Sequence, residues 1–190
     1  MILFNETPKY DTFRFYENVF TAEECEMIKP LMVNPIESEI QKVERPDVTL
    51  KSDIRLSEHT WLDCTPETSW IFQKLYTIVT DVNKAFWNFQ LTGFVEPLQL
   101  VRYPVGGHYS WHQDNGSGYL GKRKLSLSVQ LSDPSEYEGG DLEILLASNP
   151  APRSRGAVTI FPSYQVHRVT PVTSGVRYAL VTWIHGESYR

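Results

Sequence analysis

The segment Lys124-Leu-Ser-Leu-Ser-Val-Gln-Leu131 alternates between apolar and polar side chains without a break. Successive side chains of a β-strand point to opposite faces. The segment therefore sets Leu125, Leu127, Val129 and Leu131 on one face and Ser126, Ser128 and Gln130 on the other. In 98–103, likewise, Leu98 and Leu100 oppose Gln99, Val101 and Tyr103. The oily faces suit packing on helices. The polar faces are solvated by default, or else they line an internal cavity.

Around these segments the chain from residue 95 onward breaks into short period-two runs at 96–103, 109–114, 124–131, 141–146, 156–161, 166–171 and 176–184. Turn signals separate them: Pro104-Val-Gly-Gly107, Asn115-Gly116, Asp133-Pro134, Gly139-Gly140, Pro150-Ala-Pro152 and Ser174-Gly175. Strands at this spacing predict a sandwich or barrel, with the preceding helices covering one outer face.

The first third reads as helical. Thr21-Ala-Glu-Glu24 has the form of a capping box, with Phe20 placed for a hydrophobic staple. Cys25, Ile28 and Met32 follow at helical spacing, and Pro30 is expected to kink or end the helix early. Residues 34–53 are polar with two prolines and read as a long loop or irregular hairpin, either a binding segment or a plain surface connection. A second helix is expected from Thr65-Pro66, with Ile71, Leu75, Ile78, Val82, Phe86 and Phe89 as its core stripe.

At 190 residues the chain is long enough for one domain with a substantial core, helical over about 15–92 and β over about 95–185. Abundant aromatics argue against disorder. The formal net charge of -5 disfavours a broad phosphate-binding surface, so no broad nucleic-acid surface is expected, though a small local basic patch stays open. Cys25 and Cys64 are far apart, and neither belongs to a C-x-x-C motif, which fits two reduced thiols. The N-terminus has no signal-like apolar run, and no stretch is long enough to span a membrane. A cytoplasmic location is expected.

The segment that carries chemistry is Tyr103-Pro-Val-Gly-Gly-His-Tyr-Ser-Trp-His-Gln-Asp114. His112 and Asp114 lie two apart, so on a strand they share a face and can share a metal. Among the five histidines, His167 follows a strong strand and turn and is the candidate third ligand. Two His and one carboxylate on one side of a metal form the ligand set of non-haem Fe(II) oxygenases. Arg177 comes ten residues after His167, and Arg binds carboxylates through a bidentate fork. Each feature alone has an ordinary explanation, a surface hydrogen bond or ion pair. Their conjunction points to a metal with an anionic co-ligand.

From about Arg55 to Trp183 the chain resembles the prolyl 4-hydroxylase-like, PKHD-type branch of the 2-oxoglutarate/Fe(II) oxygenases. The motifs, in order, are Arg55-Leu-Ser57, Trp61-Leu62, Tyr103-x2-Gly106-x2-Tyr109-x2-His112-x-Asp114, Leu131-Ser-Asp-Pro134, Glu138-Gly-Gly-Asp141, Phe161-Pro-Ser163-x3-His167-Arg-Val-Thr-Pro-Val172, Gly175-Val-Arg177 and Trp183. The resemblance implies an α+β, mainly β fold: a double-stranded β-helix, or jelly roll, with N-terminal helices packed on one sheet. It implies iron ligands His112, Asp114 and His167, and a 2-oxoglutarate anchor at Arg177. Tyr103, Trp183, Gln99, Ser126 and Ser128 are expected around the cosubstrate, with Gln130 beside them. Tyr109, Asn115 and Tyr119 are the expected substrate contacts.

The implied reaction uses Fe(II), 2-oxoglutarate and O2, with ascorbate as reductant, and hydroxylates a C–H bond with release of succinate and CO2. A prolyl residue of a peptide or protein is the expected substrate, and small molecules are the other candidates. Collagen-type relatives carry Lys where this chain has Arg177. Longer PKHD-type proteins extend beyond the position of Trp183, whereas this chain runs seven residues further, so the function of such an extension is expected to be absent. Competing readings are a nucleic-acid demethylase of the same superfamily and a metal- or sugar-binding jelly roll without oxygenase activity.

Overall fold

The computed structural model describes residues 12–38 and 54–187. The elements run, in chain order, β1 (Arg14–Tyr16), α1 (Ala22–Ile28), β2 (Ile36–Glu37), β3 (Arg55–Leu56), β4 (Glu58–Leu62), α2 (Ser69–Val82), β5 (Leu91–Phe94), β6 (Leu98–Tyr103) and β7 (His108–His112). Then follow β8 (Arg123–Gln130), β9 (Tyr137–Gly139), β10 (Leu142–Ile144), β11 (Val158–Pro162), β12 (His167–Val169), β13 (Val172–Gly175) and β14 (Arg177–Gly186).

The N-terminal part is less helical than its pattern suggests, because β1 to β5 are strands that complete the sheets. The capping box forms as expected: the Glu24 amide donates to Thr21 Oγ1 at 3.2 Å and the Thr21 amide to Glu24 Oε2 at 2.8 Å. The helix stops at Ile28, and Pro30 sits in the following 3-10 turn.

The second helix begins at Ser69, after a turn at 66–68 in which Thr68 Oγ1 accepts the Thr65 amide at 2.9 Å. Its buried residues are Ile71, Phe72, Leu75, Val79 and Val82, so Phe72 and Val79 take the place expected of Ile78, which is only partly buried. A π turn over Asn83–Trp87 then widens the coil and rotates Phe86 off the core stripe. Phe86 is exposed and lies under the Arg14 guanidinium, 3.9 Å from the ring centre. Of the 34–53 segment, β2 pairs with β4, and 39–53 lies outside the described residues.

The larger sheet has the order β1-β11-β8-β14-β6-β4-β2, with β5 added to β14, and the smaller has β10-β12-β7-β3. All pairings are antiparallel. One face of the larger sheet meets the helices: Leu125, Leu127, Val129, Leu98, Leu100, Leu180 and Ile184 form one buried cluster with Cys25, Ile28, Ile71, Leu75 and Val79. Its other face meets the smaller sheet, where Val101, Tyr103, Phe161, Leu142, Ile144 and Val169 form a second cluster. Two antiparallel sheets packed face to face, with helices on the outside of one, make the expected jelly roll. Between them lie the polar side chains of β8, and Ser126 and Gln130 are buried. The alternative reading of that polar face, a cavity lining, is the correct one.

Candidate functional site

His112, Asp114 and His167 converge, each offering a ligand atom within 4.8 Å of the others. β7 and β12 pair with His112 directly opposite His167. The strand read as 109–114 ends at His112, so Asp114 follows in a bend. There its amide donates to the Ser163 carbonyl at 3.0 Å, which turns the carboxylate inward.

The backbone sets the chemistry of both imidazoles. His112 Nδ1 lies 2.8 Å from the Ser110 carbonyl, and His167 Nδ1 lies 2.9 Å from the Gln165 carbonyl. A carbonyl can only accept, so each Nδ1 carries a proton, and in the neutral ring each Nε2 presents a lone pair. Those Nε2 atoms lie 3.6 Å (His112) and 3.5 Å (His167) from the Asp114 oxygens. Burial pushes the His167 ring below the usual histidine range, against the pull of Asp114. Burial alone would raise the Asp114 carboxyl. In their protonated form the His167 and His112 rings, together with a 2.6 Å hydrogen bond from Ser126 Oγ, outweigh it and hold the group below the usual carboxylate range. The arrangement offers two neutral nitrogens and one anionic oxygen to a divalent cation, each already oriented by a second partner.

Arg177 stands at the other end of the same β8 face and is only 3% exposed. Its Nε donates to Gln130 Oε1 at 3.0 Å, the one hydrogen bond it makes among the described residues. The terminal pair of guanidinium nitrogens is therefore available to a cavity lined by Ser128, Gln130, Tyr137, Thr159, Arg153 and Arg177 itself. Gln130 Nε2 donates in turn to the Tyr137 hydroxyl at 3.0 Å. Gly139 and Gly140 let the chain pass behind Arg177. Both have positive φ, and a Cβ on Gly140 would sit 3.1 Å from Arg177 Cδ and 2.9 Å from Val172 Cγ2.

β8 sets the spacing, with Ser126 on Asp114 and Gln130 on Arg177, four residues or roughly 13 Å apart along the strand. Such an arrangement can hold a small dicarboxylate with one end on a metal and the other on an arginine.

The family model for the 2OG-Fe(II) oxygenase superfamily matches residues 98–185, the stretch that builds this face. The β core of this chain is thus similar to that superfamily. The chain is 40% identical over 116 residues to a PKHD-type hydroxylase of Synechococcus sp. (strain CC9311), covering 57% of this chain and 52% of the relative. A PKHD-type hydroxylase of Sphingopyxis alaskensis is 28% identical over 153 residues, covering 75% and 65%. The chain thus spans about half the length of several curated relatives it matches.

In fold, the chain is similar to a Pseudomonas putida prolyl-4-hydroxylase (TM-score 0.70, 18% identity, covering 93% of this chain and 94% of the other). It is also similar to a Trichoplax adhaerens prolyl hydroxylase solved with a hypoxia inducible factor peptide fragment (TM-score 0.73, 17% identity, covering 93% and 84%).

Of the expected pocket residues, Ser128 lines the cavity, and Tyr103 lies with its ring centre 5.4 Å from the Arg177 guanidinium. Ser126 instead supports Asp114, and Gln99 accepts from Arg55 at 3.2 Å. Trp183 is buried on the Arg177 face of β14 beneath Arg123, which stacks 3.6 Å from its ring centre. Its Nε1 is buried without a hydrogen-bond partner among the described residues. Tyr109 stacks on His112 at 3.4 Å, and burial raises its phenol above the usual range. The Asn115 amide joins that of Asp114 on the Ser163 carbonyl. Tyr119 is exposed and rests 5.0 Å from the His185 ring.

Sequence reasoning missed three groups. Ser163 had a motif but no role, yet it anchors Asp114 through its carbonyl and meets Ser126 through its hydroxyl at 3.0 Å. Tyr137 and Arg153 flank motifs without belonging to them. The third group is the ion cluster of Arg123, Glu96 and His185, in which Glu96 Oε1 lies 2.7 Å from both Arg123 Nε and His185 Nε2. Arg123 Nη1 also donates to the Asp114 carbonyl at 3.2 Å, tying this cluster to the bend that carries Asp114. No periodicity marks these residues, because their partners come from other strands.

Proposed function

We propose that the chain is an Fe(II)- and 2-oxoglutarate-dependent dioxygenase that hydroxylates an unactivated C–H bond, with a prolyl residue of a peptide or protein as substrate. One observation carries the reading. A two-His, one-carboxylate cluster at the smaller sheet and a buried arginine of the larger sheet, its terminal nitrogens uncommitted among the described residues, both meet the inner face of β8, the first through Ser126 and the second through Gln130. Trp183 Nε1 on the inner face of β14, without a hydrogen-bond partner among the described residues, also suits a polar occupant.

Iron, when bound, supplies O2 activation coupled to the oxidative decarboxylation of 2-oxoglutarate to succinate and CO2. His112 and His167 hold Nε2 lone pairs ready, and Asp114 contributes the anionic oxygen that Ser126 orients. Arg177 grips the distal carboxylate and so fixes which end of the dicarboxylate faces the metal. Tyr103, Ser128 and Trp183 wall that occupant, while Val101 and Phe161 keep the surroundings dry.

Tyr109, Asn115 and Tyr119 belong to the substrate side of the metal. The prolyl assignment draws on the names of the PKHD-type and prolyl hydroxylase relatives. Ascorbate as reductant, a cytoplasmic location and a single domain over 1–190 complete the proposal. Among the described residues no helix is long and apolar enough to cross a membrane.

The test is anaerobic titration with Fe(II) and then 2-oxoglutarate, following the visible metal-to-ligand charge-transfer band. The band is expected in wild type, absent in His112→Ala and weakened in Arg177→Ala. Iron bound without a band in wild type would overturn the reading in favour of a metal-binding jelly roll.

A further inference from the structure

We infer that Arg153 is a second cationic contact for the distal carboxylate of 2-oxoglutarate. The far end of the pocket is then built from two arginines, one buried and fixed, the other at the solvent edge. The inference rests on the reading of this cavity as the cosubstrate site.

Both arginines line the cavity. Arg177 is almost fully buried, whereas the Arg153 side chain retains 34% exposure, which places it between the cavity and solvent. Arg153 lies across the Tyr137 ring, its guanidinium carbon 4.3 Å from the centre, and Nη2 donates to the Tyr137 carbonyl at 2.9 Å. The Tyr137 hydroxyl leads through Gln130 to Arg177. One chain of contacts therefore holds both guanidinium groups in place.

The charge of Arg153 is poorly answered by the protein. Its one ion pair among the described residues, with Asp141, is 3.6 Å long, beyond hydrogen-bond distance. Its Nε is buried without a hydrogen-bond partner among those residues. A stacked guanidinium keeps its in-plane donors for another acceptor. The acceptor that suits this pocket is a carboxylate, and two cations around one carboxylate would make affinity depend steeply on the ligand's far charge.

A merely structural arginine, clamping the 150–153 turn onto Tyr137, would make no distinction between ligands. The experiment separates the two roles. Protein loaded with Fe(II) under argon is titrated with 2-oxoglutarate and with 2-oxobutanoate, which keeps the chelating 2-oxo acid but lacks the distal carboxylate. The charge-transfer band reports binding. Glutarate, which keeps the far carboxylate but lacks the chelating head, is titrated as a competitor of 2-oxoglutarate.

Arg153→Met is expected to raise the Kd for 2-oxoglutarate about 10-fold, the lower end for a charged hydrogen bond, because Arg153 is partly solvated. Its glutarate Kd should rise by a similar factor and its 2-oxobutanoate Kd should stay within about two-fold. Arg153→Lys should recover part of the loss. Equal weakening of 2-oxoglutarate and 2-oxobutanoate, or unchanged affinity for 2-oxoglutarate and glutarate, would overturn the role of Arg153 and leave Arg177 as the sole anchor. A wild type without a band for either 2-oxo acid would overturn the underlying reading instead.

Discussion

The two faces of β8 are both covered, but by different physics. On the helix side, Leu125, Leu127 and Val129 are fully buried among side chains of α1 and α2, and dispersion and water exclusion do the stabilising. On the cavity side, the polar groups serve the site, since Ser126 holds Asp114, Ser128 lines the pocket and Gln130 holds Arg177. Folding energy is concentrated on one side and chemistry on the other, within a single strand whose neighbouring side chains alternate. Substitutions on the two faces should therefore fail in different assays.

His112→Ala should have the largest effect on the chemical face, abolishing the charge-transfer band and substrate-coupled succinate formation. The thermal midpoint of the metal-free protein should stay level or rise, since three converging polar groups become two. A fall in the metal-free midpoint comparable to a core truncation would blur the division between faces.

Leu127→Ala should show the reverse pattern. Removing a fully buried side chain costs about 2–5 kcal/mol of stability, read from urea unfolding, with Fe(II) affinity kept in the fraction that remains folded. Ser126→Ala should give a smaller and functional change: Fe(II) affinity down about 10–100-fold, with about 1 kcal/mol of stability lost. Equal losses in both quantities would mean that Ser126 serves the fold and not the Asp114 carboxylate.

A pH series sharpens the same contrast. The folded state holds Asp114 below the ordinary aspartate value of 3.8, so its contribution is fully present above that value and fades as pH falls below it. His167 is also held below its ordinary value of 6.5, so stability should begin to decline as pH drops through that region, where the unfolded chain takes up a proton first. Urea midpoints of the metal-free protein between pH 7 and 3 should decline less steeply in His167→Gln than in wild type. An identical slope would remove His167 as the source.

The smallest effect concerns the helix side. Cys25 is buried and its thiol is pushed up to about 11 by burial, whereas Cys64 is exposed. A thiol reagent should modify Cys64 at once and Cys25 only on unfolding. Two fast thiols would mean that the helix layer opens readily.

Much of this division was legible in the primary structure. The β8 alternation, the capping box and the breaks at Pro104, Pro134 and Gly139 are local effects, each decided within a few residues by side-chain direction, backbone donors or allowed φ. Phe86 was misplaced because a π turn after Val82 shifts the helical phase, and no local composition announces it. β1 to β5 escaped notice because two- to five-residue strands are too short to show a period.

The site divides along the same line. His112, Asp114, His167 and Arg177 could be named from residue type and order alone. The roles of Ser126, Ser163, Tyr137, Arg153 and Arg123 could not, since each depends on a partner brought from another strand. Whether the polar side of β8 faces water or a cavity was equally beyond the sequence. Alternation determines that two faces differ, but what covers each face is set by sheet packing, a long-range outcome in which the smaller sheet, itself carrying His112 and His167, closes over the serines and the glutamine.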